Sequence, residues 1–165
     1  MSRLRVAVAA LAATALAVLL AGCTPTVAMN PAPSSNDAKC AGVTVRLPAT
    51  VAGEKRDHTN AQATGAWGNP VAVQLRCGVT PLGPTTQPCA SITSGHESVD
   101  WVLINDPSAK VVTYVTYGRT PAVEVTISHA SGDLTDGNVL PDLGPAVATI
   151  PQSKVHRCDA EGVAE

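Results

Sequence analysis

Phenylalanine is absent from this 165-residue chain, and two tryptophans and two tyrosines are its only aromatic side chains. Stacking platforms for sugars or bases are therefore poorly supplied. Charge is also sparse, at 15% of residues with a formal net charge of −2, and Lys55-Arg56 is the densest basic pair. Nucleic acid needs a clustered basic footprint, so it is excluded as a partner. Zinc-type C-x₂₋₄-C pairs are missing. Also missing are the Ser-x-x-Lys and K-T-G signatures of penicillin-binding enzymes and the G-x-S-x-G elbow of α/β-hydrolases. No internal repeat and no cofactor motif occurs, and no cofactor is expected.

Apolar length is concentrated at the start. Arg3 and Arg5 precede an apolar run from Val6 to Leu20, followed by Ala21-Gly22-Cys23. The run is shorter than the roughly 20 residues needed to span a bilayer. A basic start, a short apolar core and a small-residue end mark an export signal. Leu20 three residues ahead of a cysteine is similar to the lipobox of bacterial lipoprotein precursors. The expectation is therefore a signal peptide over residues 1–22, cleavage after Gly22, and diacylglycerol on Cys23. Two acyl chains anchor stably where one is marginal, at about 0.8 kcal/mol per buried methylene. Removing the leader takes away two arginines and no acid, leaving 143 residues with 9 basic and 13 acidic side chains.

Cysteine arithmetic agrees with this division. Five cysteines are an odd set for an exported chain. With Cys23 assigned to lipid, Cys40, Cys77, Cys89 and Cys158 remain as an even set for two disulfides in an oxidising compartment. Three pairings are open. The favoured one is Cys77–Cys89, closing a proline-rich loop, with Cys40–Cys158 joining the two ends. Loop entropy assigns these about 3 and nearly 5 kcal/mol.

Residues 24–37 read TPTVAMNPAPSSND, a composition expected of a flexible tether following the lipidated cysteine. One globular domain is expected over residues 38–165. Cys40, Val43 and Leu47 suggest a short helix ended by Pro48. Strands are expected at Val71–Cys77, Val99–Asn105, Val111–Tyr117 and Val123–Ile127, from alternation and β-branched content. Gly118-Arg119 suits a two-residue type II′ hairpin, and Pro121 suggests an edge strand. Leu140, Leu143, Val147 and Ile150 share a helical face, shortened to about two turns by Pro145 and Pro151. The expected fold is α+β, a small antiparallel sheet of about four strands with one or two short helices and two disulfides.

Candidate chemistry is thin. His96-Glu97 and the group His129, Asp133 and Asp136 are the places to look for a metal. The latter lacks the alternate ligands and closing glutamate of a calcium loop, so no metal site is expected. Arg119 at a hairpin tip offers a forked donor to phosphate or carboxylate, with Glu124 or Asp100 as internal alternatives. Trp67, in Ala-Trp-Gly-Asn-Pro, is the other possible binding residue. His58 and His156 read as surface residues. No catalytic residue is assigned.

Several clusters in order carry a family resemblance: Trp67-Gly68-Asn69-Pro70, Leu75-Arg76-Cys77-Gly78-Val79, Val99-Asp100-Trp101, Thr116-Tyr117-Gly118-Arg119 and Pro121-Ala122-Val123-Glu124-Val125. With Cys40 ahead of Leu47-Pro48 and Cys158 near the end, the set resembles an uncharacterised actinobacterial family of small exported proteins, often lipoproteins, known as domain of unknown function three-five-one-five. The resemblance spans about Ala38 to Asp159 and implies a single exported domain, with no activity or catalytic residues to carry over.

The resulting expectation is a non-enzymatic, lipid-anchored cell-envelope protein on the outer face of the cytoplasmic membrane. It would be held there by Cys23 and would bind an envelope protein or a wall component. The alternative is an envelope hydrolase or modifying enzyme, which requires His96, Glu97, Asp100 and Arg119 to converge in one pocket.

Overall fold

The computed structural model describes residues 26–131 and 134–158. The leader, Cys23 and Asp133 lie outside the described residues. The chain enters through β1 (Thr26–Val27), passes through helix α1 (Ala38–Thr44), and continues through β2 (Thr50–Val51), β3 (Glu54–Thr59), β4 (Thr64–Trp67) and β5 (Val73–Val79). Then come β6 (Cys89–Ser94), β7 (Glu97–Leu103), β8 (Val111–Thr116) and β9 (Ala122–Ser128), a 3₁₀ turn (His129–Ser131) and helix α2 (Asp136–Val147). These strands form one nine-stranded sheet in the order β1-β3-β4-β5-β9-β8-β7-β6, with β2 also pairing β3. It is a mixed sheet, because β1 runs parallel to β3 and the other pairs are antiparallel.

The expected four-stranded sheet is thus corrected to nine strands. Its four anticipated strands are the contiguous centre, β5-β9-β8-β7. Apolar alternation exposed them: Val73, Leu75 and Cys77 are buried while Gln74 is exposed and Arg76 half-buried. The strands that escaped notice carry little apolar signal. β3 reads EKRDHT, β6 reads CASITS, and β4 reads TGAW with all four residues buried. Pro121 does not mark an edge, since β9 lies between β5 and β8. Pro121 precedes the strand across a cis Thr120–Pro121 bond, so no ladder donor is lost. The two-residue hairpin is corrected as well, because β8 ends at Thr116 and β9 begins at Ala122.

The two helices touch one another, and α2 also touches both β2 and β6, at opposite ends of the sheet. The sheet is therefore curved around α2. Asp142 on α2 accepts the Ala52 N–H from the β2–β3 turn at 2.7 Å, closing one side. The helix is longer than expected, at 12 residues, despite Pro141 and Pro145. Each interior proline costs about 3 kcal/mol. Burying Val139, Leu140, Leu143 and Val147 offsets that, at about 1.5–3 kcal/mol for each side chain. The core between helices and sheet holds Trp67, Trp101, Leu75, Ile127, Leu140 and Leu143, all essentially solvent-free.

Two further corrections concern the ends of the domain. The disulfides are Cys40–Cys77 and Cys89–Cys158. Cys77 lies on β5 and Cys89 on β6, with three strands between them. Along the sheet that is four spacings of about 4.8 Å, well beyond the 7 Å Cα separation a disulfide spans. The segment before Ala38 is laid on the sheet. Val27 pairs with Thr59, Asn60 accepts the Met29 N–H at 2.8 Å, Ala32 is buried, and Ser34 donates to the Gly78 carbonyl at 2.9 Å. Gly78 permits this crossing. It adopts φ +104°, and a Cβ there would stand 2.4 Å from the Ser34 backbone.

Candidate functional site

The charged side chains of the domain include one group turned inward and another left facing a cleft. The inward group centres on β7 and the β8–β9 connection. Trp101 and Val99 face the core, and the intervening Asp100 is buried too, because the chain's C-terminal segment crosses over it. Its carboxylate accepts hydrogen bonds from Ser91 Oγ, from Gln152 Nε2 at 2.6 Å and from the Cys158 N–H at 3.0 Å. That segment runs over Gly118 at φ +71°, where a Cβ would meet the His156 carbonyl at 2.1 Å. Ser153 N–H bonds the Gly118 carbonyl at 2.6 Å, and Arg119 bridges to Gln152.

Arg119 is 4% exposed, not an open fork at a hairpin tip. Its guanidinium donates to the Ile150 carbonyl and, at 2.9 Å, to the Ser98 carbonyl. Nε has no partner among the described residues. Burial pushes its pKa down, while the negative charges of Asp100 and Glu97 hold it up. Asp100 and Arg119 are therefore brought together as internal fasteners of the C-terminal segment. His96 and Glu97 sit exposed at the β6–β7 turn, so the four side chains required by the hydrolase alternative do not share a pocket. Trp67 is likewise corrected from binding candidate to core residue. It is fully buried, and its indole N–H donates to the Pro48 carbonyl at 3.1 Å. Glu124 pairs with Arg76 across β5–β9 at 2.7 Å. His129 and Asp136 approach to 3.2 Å.

Asp136 also accepts the Tyr114 hydroxyl proton. Burial, and then that hydrogen bond, push the Tyr114 phenol well above its ordinary value. Among the described residues no group of three or more His, Cys, Asp or Glu side chains is placed to hold a metal.

The open group lies at the other end of the sheet. A cleft of about 690 Å³ runs between α1 with its following turn and the β3–β4 hairpin, lined by Thr44, Leu47, Arg56, Asp57, His58 and Thr64 among others. Its size falls within the usual range for small-ligand sites. Leu47, Ala49, Ala61 and Ala63 supply the apolar part of the lining, and Arg56 lies in register with the buried Trp67. Arg56 anchors one nitrogen on the Leu47 carbonyl at 3.3 Å. Burial lowers its pKa, and no other partner takes its remaining side-chain donors among the described residues. Thr64 is fixed by bonds to Thr59 Oγ1 and the Ala61 carbonyl, both at 2.7 Å. A smaller hollow of about 270 Å³ adjoins it, sharing Thr44, Gln62 and Ala63, with the exposed Val45 on its rim.

Sequence reasoning missed this cleft. Arg56 registered only as half of a basic pair, and His58 as a surface residue. β3 reads EKRDHT, a run whose charge and polarity carry no local mark of a strand or of a cleft. Chemically the cleft offers a fork donor, a carboxylate, an imidazole and hydroxyls beside an apolar lining. It suits recognition of a polar ligand that carries an anionic group.

A family model described as protein of unknown function (DUF3515) matches residues 3–155. No curated protein and no solved structure matches the chain.

Proposed function

The chain belongs to this family of proteins of unknown function, and from that premise we propose that it is a lipid-anchored, exported envelope protein whose domain binds and does not catalyse. One observation carries the reading: the two disulfides take Cys40, Cys77, Cys89 and Cys158, which leaves Cys23 as the odd cysteine of the sequence, three positions ahead of the first strand. An exported chain with an odd cysteine needs a use for it, and a lipobox supplies one. Two structural disulfides accord with an oxidising compartment. The binding role is supported by the cleft, where Arg56, Asp57 and His58 remain available.

Fractionation of a bacterium that processes lipoproteins tests the anchor. The wild-type chain is expected in the membrane fraction, with an N-terminal peptide beginning at a diacylated Cys23. Cys23→Ser is expected to abolish that modification and move the protein out of the membrane pool. An unmodified Cys23 in a membrane-free wild type would sink the reading.

A further inference from the structure

The chain leaves almost no slack between the cysteine and the folded domain. Thr26 is paired with His58, and Val27 with Thr59. Only Thr24 and Pro25 separate Cys23 from Thr26, three residue steps with a reach of at most about 10 Å. The following segment is fixed as well, by Met29 on Asn60 and Ser34 on Gly78. A domain on a long tether samples all orientations; a domain whose third residue past the anchor is already in the sheet does not. The strand that receives this segment, β3, is the one whose Arg56, Asp57 and His58 line the cleft.

We infer that the cleft between α1 and β3 is held against the membrane surface and takes the headgroup of a phospholipid from the membrane that anchors the chain. The inference rests on the lipid-anchor reading. Arg56 is the phosphate ligand: its fork matches phosphate geometry, and only one of its donors is engaged within the protein. The sequence Glu54-Lys55-Arg56-Asp57 balances its own charge, so the strand is no general polybasic patch. What selects the lipid is the covalent placement of the cleft and the chemistry inside it.

The test uses the full-length, lipid-modified chain in vesicles of phosphatidylethanolamine and phosphatidylglycerol. A photo-crosslinking side chain is placed at His58 in one protein and at His96, on the β6–β7 turn, in another. Both positions are exposed, and intact mass confirms both disulfides. Phospholipid adduct is expected at His58 and not at His96. Adding Arg56→Gln is expected to lower the adduct about fivefold, the effect of one basic residue near an anionic surface, while Arg56→Lys restores part of it. Equal adduct at both positions, or none at His58 while the chain stays on the vesicles, overturns the inference and leaves the anchor intact. Adduct at His58 indifferent to Arg56→Gln overturns the headgroup assignment. A chain that does not remain on the vesicles overturns anchor and inference together.

Discussion

Gly78 and Gly118 solve one steric problem for the two flanking segments of this chain. Each takes a positive φ so that a flanking segment can cross the sheet in backbone contact, the N-terminal one over Gly78 and the C-terminal one over Gly118. Each crossing is secured by a disulfide, Cys40–Cys77 or Cys89–Cys158. The side chains beside the two segments part company. At the C-terminal crossing Asp100, Arg119 and Gln152 spend their hydrogen bonds on the protein itself. On β3, which receives the start of the N-terminal segment, Arg56, Asp57 and His58 stay open to a cleft. A charged residue is structural when its partners are already present, and available when they are not.

Removing the disulfides tests the symmetric half of this comparison and has the largest expected effect. Loops of 37 and 69 residues correspond to about 3.8 and 4.4 kcal/mol in the chain-entropy model. Urea unfolding of Cys40→Ser with Cys77→Ser, and of Cys89→Ser with Cys158→Ser, is expected to show nearly equal losses. A gap of several kcal/mol would break the symmetry.

Next comes Asp100→Ala. It strands three hydrogen-bond donors and removes the stronger of the two negative charges acting on buried Arg119, at a cost of about 3 kcal/mol. Asp57→Ala, its counterpart at the open end, is expected to change stability by less than about 0.5 kcal/mol. Equal losses on denaturant titration would erase the distinction between spent and open side chains.

Tyr114 refines the inward category. Its phenol donates to Asp136, so Tyr114→Phe is expected to cost about 1 kcal/mol. The folded state holds the phenolic proton more tightly than the unfolded chain does. That stabilisation is complete below the ordinary phenol value of about pH 10 and is lost as pH rises above it. Thermal unfolding of the wild type is therefore expected to fall more steeply above pH 10 than that of Tyr114→Phe.

The smallest stability effect belongs to Arg56→Gln, within about 0.5 kcal/mol of wild type. A large thermal shift in this variant would reassign Arg56 to the structural group.

The parts of the fold that were legible in sequence are those whose signal is local. Val73, Leu75 and Cys77 alternate with polar neighbours because one face of β5 is buried, and the β-branched run of β8 announces itself in the same way. β3 and β6 gave no warning because strands near the sheet's ends bury too little to need apolar residues. The candidate site was illegible for the same reason: Arg56 and His58 belong to β3. Asp100 and Arg119 stood out as charges, but their partners Gln152 and Cys158 lie 52 and 58 residues from Asp100.

By itself the sequence determined the count of five cysteines, from which the lipid-anchor proposal starts, and the four central strands. The strands are written in consecutive or alternating residues. The tertiary structure alone decided which cysteines pair, that the segment from Thr26 to Asp37 is folded down, and which charged residues are spent. Those outcomes depend on strand order and on two crossings made possible by glycine, and neither strand order nor a crossing has a local signature in the chain.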